Sequence, residues 1–105
     1  MKTLKVAATS RPTAVAGAIA WSVRQQEPVE LVAIGAGAVN QATKAVAIAR
    51  SFLVQEGLDI SFSPAFCTIP VADDETRTAM TLRIAVIERS EDAGSLQARE
   101  AGRGS

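Results

Sequence analysis

The sequence has no histidine, a single cysteine, one tryptophan and three phenylalanines among its 105 residues. Without an imidazole, a general base at neutral pH would have to be a carboxylate, lysine or thiol with a perturbed pKa. The acidic side chains gather in the run Asp73-Asp74-Glu75 and in the stretch from Glu88 onward, where simple solvation explains them. No spacing of cysteines and carboxylates suits a metal. The expectation is therefore a non-catalytic chain with no cofactor and no metal. Cys67 stands alone, so it forms no internal disulfide and fits a reducing compartment. It lies in a strand-like apolar run, where a thiol is ordinarily inert packing. No apolar stretch reaches the roughly 20 residues of a membrane span. Met1-Lys2-Thr3-Leu4 is strand-like at once, with no signal-peptide pattern. The chain reads as cytoplasmic, without a membrane partner.

An excess of charge is also missing. Lys+Arg and Asp+Glu balance at 11 each, so no global field steers the chain toward a polyanion, and any nucleic-acid surface must be a local basic patch. What is abundant is small apolar side chains: the apolar share is 48%, built almost wholly from Ala, Val, Ile and Leu. That is ample for one folded domain and favours thin, closely approaching layers.

The apolar spacing sets the order of elements. Leu4-Lys5-Val6-Ala7-Ala8 reads as a short strand. Thr9-Ser10-Arg11-Pro12-Thr13 breaks it and marks a helix start. That helix is predicted over about residues 13–26, with Gly17 in its interior. A Gly there costs roughly 1 kcal/mol relative to Ala, which suggests a neighbouring element in close approach. Residues 29–36 read as a second strand, apolar enough to be covered on both faces. Gly35-Ala36-Gly37 turns the chain into a second helix over about residues 38–55, and Gly57 stops it. On that helix Val39, Ala42, Val46, Ala49 and Leu53 form one stripe, widened by Ala45, Ile48 and Phe52 to about half the circumference. The surplus suits contact with another subunit, though a well-covered core helix would look similar. Trp21, Ala45, Ile48 and Phe52 are the candidate oligomer surface. Residues 59–71 are extended, with a phase change that suggests a bulge and a Pro64 that suggests an edge strand. Asp73-Asp74-Glu75 makes a polar turn, and residues 77–87 alternate cleanly with Met80, Leu82, Ile84 and Val86 inward. Residues 89–105 form a polar tail beyond the 1–88 domain. The order β-α-β-α-β-β gives an α+β two-layer sandwich, a mixed four-stranded sheet with two helices on one face.

Two clues bear on function. Gly35-Ala36-Gly37-Ala38-Val39-Asn40-Gln41 places two glycines between a strand and a helix, where backbone N–H groups at the positive end of the dipole favour an anion. It lacks the third Gly of a dinucleotide fingerprint and the Lys of a P-loop, so a plain tight turn explains it as well. Asn40 and Gln41 could reach phosphate or base edges, or simply cap the helix. The second clue is basic: six of the eleven basic residues, from Lys2 to Arg50, lie in the first half with only Glu27 and Glu30 against them. Arg11, Lys44 and Arg50 are candidates for phosphate contact, with Lys5 and Arg83 weaker candidates sharing the uncovered sheet face. Scattered solvated charge is the alternative.

The run Ile34-Gly35-Ala36-Gly37-Ala38-Val39-Asn40-Gln41-Ala42-Thr43-Lys44-Ala45-Val46-Ala47-Ile48-Ala49-Arg50 resembles the signature of the stage V sporulation protein S family. Leu4-Lys5-Val6, Val15-Ala16-Gly17-Ala18, Pro64-Ala65-Phe66 and Glu75-x-Arg77-Thr78-Ala79 match the same pattern, so the resemblance covers roughly residues 3–88. It implies an Alba-like fold, a homodimer or tetramer, a nucleic-acid partner (DNA or RNA), and a regulatory effect on sporulation or cell division. Alba-like proteins place basic residues after the first strand, at the start of the second helix and along the hairpin. Arg11 and the group Asn40, Gln41 and Lys44 match the first two regions loosely, whereas the hairpin departs with Asp73-Asp74-Glu75. Two other functions fit the residues: a module that recruits proteins through Trp21 and Ile48, and a small-anion or nucleotide site at the glycine turn.

Overall fold

A computed structural model describes residues 1–88; the tail expected at 89–105 lies outside the described residues. The elements run β1 (Lys2–Val6), α1 (Pro12–Arg24), β2 (Val29–Ala33), α2 (Ala36–Leu53), one short 3-10 turn (Val54–Glu56), β3 (Leu58–Ala72) and β4 (Glu75–Glu88). The four strands form a single sheet in the order β1-β2-β4-β3. β1 and β2 are parallel, Val6 opposite Ala33, because α1 carries the chain back between them as a crossover. β4 is antiparallel to both neighbours. The predicted α+β sandwich and its element order are those of the structure.

Pleating alternates the two faces of the sheet. Val29 and Leu31 of β2 are buried with Leu82 and Ile84 of β4 and Ile60 of β3, and they form one cluster with Ile19, Val23, Ala42, Ala45, Val46, Ala49 and Leu53 of the helices; Ala33 is buried on the same face of β2. Alanine dominates the helix surfaces that touch. Ala16, Ala42, Ala45 and Ala49 are all fully buried, which lets α1 and α2 lie close to each other and to the sheet. The bulk of the core then falls to a few large side chains, Ile19, Leu31, Leu53 and Leu82.

Several expectations need correction. Glu30 and Val32, on the other face of β2, are only half-buried, so the strand is covered on one side. Gly17 has nothing within 4 Å of where a Cβ would sit; it lies on the exposed side of α1 and no element of the chain approaches it. The register shift expected in β3 is present but falls beyond the phase change: pairing with β4 runs unbroken from Leu58 to Pro70 and shifts at Val71, between Pro70 and Ala72. The phase change arises because the strand outruns the helices. Phe62 is half-buried against them, whereas Phe66, on the same face, is 78% exposed. Pro64 does lie on an edge strand, where its missing N–H costs no ladder bond.

β2 ends at Ala33 opposite Met80 of β4, and Met80 lies opposite Phe66 of β3. Residues 67–79 therefore continue past the end of β2 as a two-stranded arm. At about 3.4 Å per residue the six residues from Cys67 to Ala72, facing five from Glu75 to Ala79, reach roughly 20 Å. The arm turns at Asp73 and Asp74. Asp74 has φ 59°, a left-handed conformation that Asp adopts more readily than most residues.

Candidate functional site

Parallel pairing of β1 and β2 puts the C-terminal ends of both strands at one pole of the domain. Each strand is followed by a helix, so both helices begin at that pole, and the arm rises beside them. Two loops meet there. In the first, Ser10 N–H donates to the Ala7 carbonyl (3.0 Å) and Ala7 N–H donates to the Ser10 hydroxyl (2.8 Å). In the second, Gly35 takes φ 88° and ψ 160°, a conformation open to glycine and little else. Gly37 lies against the first loop: a Cβ on it would come within 3.0 Å of the Ala8 Cβ. Gln41 joins the two, its amide donating to the Ser10 carbonyl at 2.9 Å.

The result is a pair of helix starts held side by side. Arg11 is the N-cap residue of α1 and its side chain is exposed; neither helix start carries a side-chain capping bond. The first-turn N–H groups of α2 lack intrahelical partners by the geometry of any helix, and the dipoles of both helices place partial positive charge at this pole. Asn40 and Lys44 are exposed on α2, one turn apart and hence on the same side.

The candidate residues thus divide. Arg11, Gly35, Gly37 and Asn40 share the pole or the first turns next to it, and Lys44 lies just over two turns along α2, about 12 Å from its start. Gln41 is there too, but as a strap that locks the two loops together. Arg50 stands apart on the side of α2 that faces β3. Its Nε donates to Asp59 Oδ1 at 2.7 Å and its Nη2 to Oδ2 at 3.1 Å. Asp59 is 4% exposed and also accepts from the Ile60 N–H at 2.8 Å. The hydrogen bonds that Arg50 donates to Asp59 raise the Arg50 pKa above the ordinary arginine value; partial burial opposes this and Coulomb attraction to Asp59 adds to it. Lys5 and Arg83 do share the helix-free sheet face, Lys5 opposite Val32 and Arg83 opposite Glu30. That face is distinct from the pole, and Arg83 lies 3.5 Å from Glu30.

The proposed oligomer surface also divides. Trp21 and Phe52 are exposed on the helix layer, with Val54 close in sequence to Phe52, and Ile48 is half-buried. Ala45 is enclosed completely. Its methyl packs within the core of its own chain, so no second subunit can reach it. Two open grooves lie elsewhere. One of about 610 Å³ lies at the opposite pole, near Arg24, Glu27, Glu56 and Val86. One of about 470 Å³ lies between α2 and β3 near Arg50, Asp59 and Phe62. Neither includes the glycine turn.

Ser10 and Ala8 escaped the sequence reading as parts of the site. The only signal was that Ser precedes a Pro-initiated helix, which is turn chemistry. The bond from Gln41 to Ser10 spans 31 residues and follows from strand pairing, which composition does not reveal. Among the described residues no group of three or more Cys, Asp or Glu could hold a metal ion, and no helix is long and apolar enough to cross a membrane.

These features define a small α+β domain with two helix starts gathered at one pole and Arg11 exposed there. The family model of stage V sporulation protein S matches residues 2–87, nearly all of the described chain. The chain belongs to that sporulation-related family.

Proposed function

We propose that the chain is a non-catalytic, oligomeric nucleic-acid-binding protein that contacts phosphate through the pole where α1 and α2 begin. The observation that carries this reading is the pairing of two uncapped helix starts, fixed by the Gln41 to Ser10 bond, with Arg11 at the start of α1 and Lys44 exposed just over two turns along α2. Backbone N–H groups and two exposed cations suit the phosphodiester backbone, which is repetitive and needs no deep pocket. Gly35 keeps the approach to the backbone open, Gly37 lets the two loops pack closely, and Asn40 lies in the next turn of α2 for sugar or base contacts. Arg50 is left out, because its guanidinium is committed to Asp59. Trp21, Ile48 and Phe52 supply an apolar surface for assembly, and an oligomer multiplies the basic pole although the chain itself is neutral.

Binding to labelled single- and double-stranded DNA and RNA tests this. The expected dissociation constants are on the order of 10⁻⁴ to 10⁻⁶ M, and two cations per chain predict a duplex salt slope of about −1.8 per chain. Affinity should fall about 12-fold between roughly 50 and 200 mM salt. The Arg11→Ala/Lys44→Ala variant should bind weakly and lose that slope. No binding to any of the four at low salt would sink the reading. A second reading, recruitment of another protein, is favoured by Trp21, which is 64% exposed; it would then stand in its place.

A further inference from the structure

The arm formed by residues 67–79 ends in Asp73, Asp74 and Glu75, and all three are exposed. Among the described residues three ion pairs close within the chain: Arg24 with Glu56, Arg50 with Asp59 and Arg83 with Glu30. Once these are set aside, the remaining charge is divided in space. Arg11 is left at the pole, with Lys44 just over two turns along α2 and Lys5 on the open sheet face; the arm keeps Asp73, Asp74 and Glu75 at its tip against one cation, Arg77, on its β4 side, so it remains acidic, and Lys2 and Glu27 lie toward the opposite pole. The neutral total of the chain therefore hides a positive pole and a negative tip roughly 20 Å out from it.

The arm carries a second feature. Phe66 at its base lies on the face that continues from the core, yet helix cover has ended there and the ring is 78% exposed. Addition of a strand to the outer edge of β3 is opposed by Pro64 and Pro70, which supply no N–H to a new ladder. What the arm offers a partner is thus side chains: an apolar flank and an acidic tip. A polyanion is repelled by that tip, and a basic protein surface is attracted.

We propose that the arm docks on a second copy of this chain, its acidic tip against the positive pole where α1 and α2 begin. Two copies placed pole to pole about a two-fold axis satisfy both contacts at once. Each arm spans the gap to the other's pole, and the interface is isologous. The two Phe66 side chains bury roughly 300–500 Å² between them, well short of the 1,200–2,000 Å² of a stable interface. Charge must carry the rest, so the contact is weak and salt-sensitive. This contact is distinct from the apolar helix surface assigned to assembly, and it needs no nucleic acid. It also places the arm on the surface proposed for phosphate, so a bound polyanion and the partner's arm exclude each other.

Sedimentation velocity on the full chain, free of nucleic acid, tests the contact with two charge reversals. Asp73→Lys/Glu75→Lys reverses the tip and leaves Asp74 to hold its left-handed turn; Arg11→Glu/Lys44→Glu reverses the pole. The unmodified chain should gain mass by self-association at about 50 mM salt and lose it at about 500 mM. Each variant alone should fail to gain it, because tip and pole then carry like charges. Mixed in equal amounts the two variants should associate at low salt, since every tip again meets a pole of opposite sign. Misfolding of either variant could not produce that rescue. A mixture that stays dissociated, or an unmodified chain that gains no mass at low salt, overturns the proposal. Association that persists in each variant at high salt is apolar and runs through the helix layer; it would overturn the arm contact while leaving an oligomeric protein.

Discussion

Replacing Leu31 with alanine is expected to lower the unfolding free energy by about 3 kcal/mol, the middle of the range for a buried leucine. In a domain of this size that is a drop in Tm of roughly 12–24 °C. Leu31 sits in β2, between β1 and β4 and beneath the helices, and is fully buried. The core cluster it belongs to includes Ala16, Ala42, Ala45 and Ala49, which present methyl groups and little else. Alanines cannot swing into a void, so the cavity left by Leu31 stays open and the full cost of lost contacts is felt. Val86→Ala is the matched control. Val86 is on the same face but 53% exposed, and its loss should change stability by no more than about 0.5 kcal/mol. Thermal or urea unfolding of both variants decides the matter. Equal effects would mean that the helices do not cover the sheet as described.

Arg50→Ala should destabilise the fold by about 2 kcal/mol while leaving nucleic-acid affinity per folded chain unchanged. The Asp59 carboxylate is 4% exposed, and losing the guanidinium deprives it of two of its hydrogen bonds. A hydrogen bond to a charged group contributes roughly 1.5–3 kcal/mol. Breaking a fully buried pair costs more, but the Arg50 side chain is 49% exposed and water recovers part of the loss. The pH dependence follows from the sign of the shift. The folded-state pKa of Arg50 is raised, so its contribution is fully present below the ordinary arginine pKa and is lost only as pH rises through that strongly alkaline range. Around neutrality its titration adds no slope to stability. Urea unfolding and a binding isotherm on the same preparation separate the two roles. A variant that keeps its stability but loses affinity would return Arg50 to the phosphate-contacting set.

Much of this architecture is legible in the residues, because the two helices and four strands carry clean periodicities. The apolar stripe at Ala42, Val46, Ala49 and Leu53 marks the buried side of α2, and Met80, Leu82 and Ile84 mark the inner face of β4. Single-residue roles were less legible. Ala45 reads as surplus apolar surface on a wheel but is enclosed by its own chain. Gly17 reads as a close-approach glycine and has open space around it, whereas Gly37, which reads as a turn, is the residue in tight contact. Arg50 reads as one more cation on a polar helix side, and only the fold reveals that Asp59 lies across from it. The pole itself depends on the parallel register of β1 and β2, which sets Ser10 beside Gln41. That register is a long-range pairing, and local spacing carries no record of it.

The central claim is that the pole where α1 and α2 begin is the nucleic-acid surface. Titration of an isotopically labelled chain with a short DNA or RNA duplex, followed by backbone amide NMR, tests it most directly. The account predicts that the largest shifts fall on Ser10, Arg11, Gly35, Ala36, Gly37, Asn40 and Lys44, while amides near Arg50, Trp21 and Arg83 stay put. Shifts centred on Lys5 and Arg83 across the open sheet face, or on Trp21 and Phe52 of the helix layer, would contradict it.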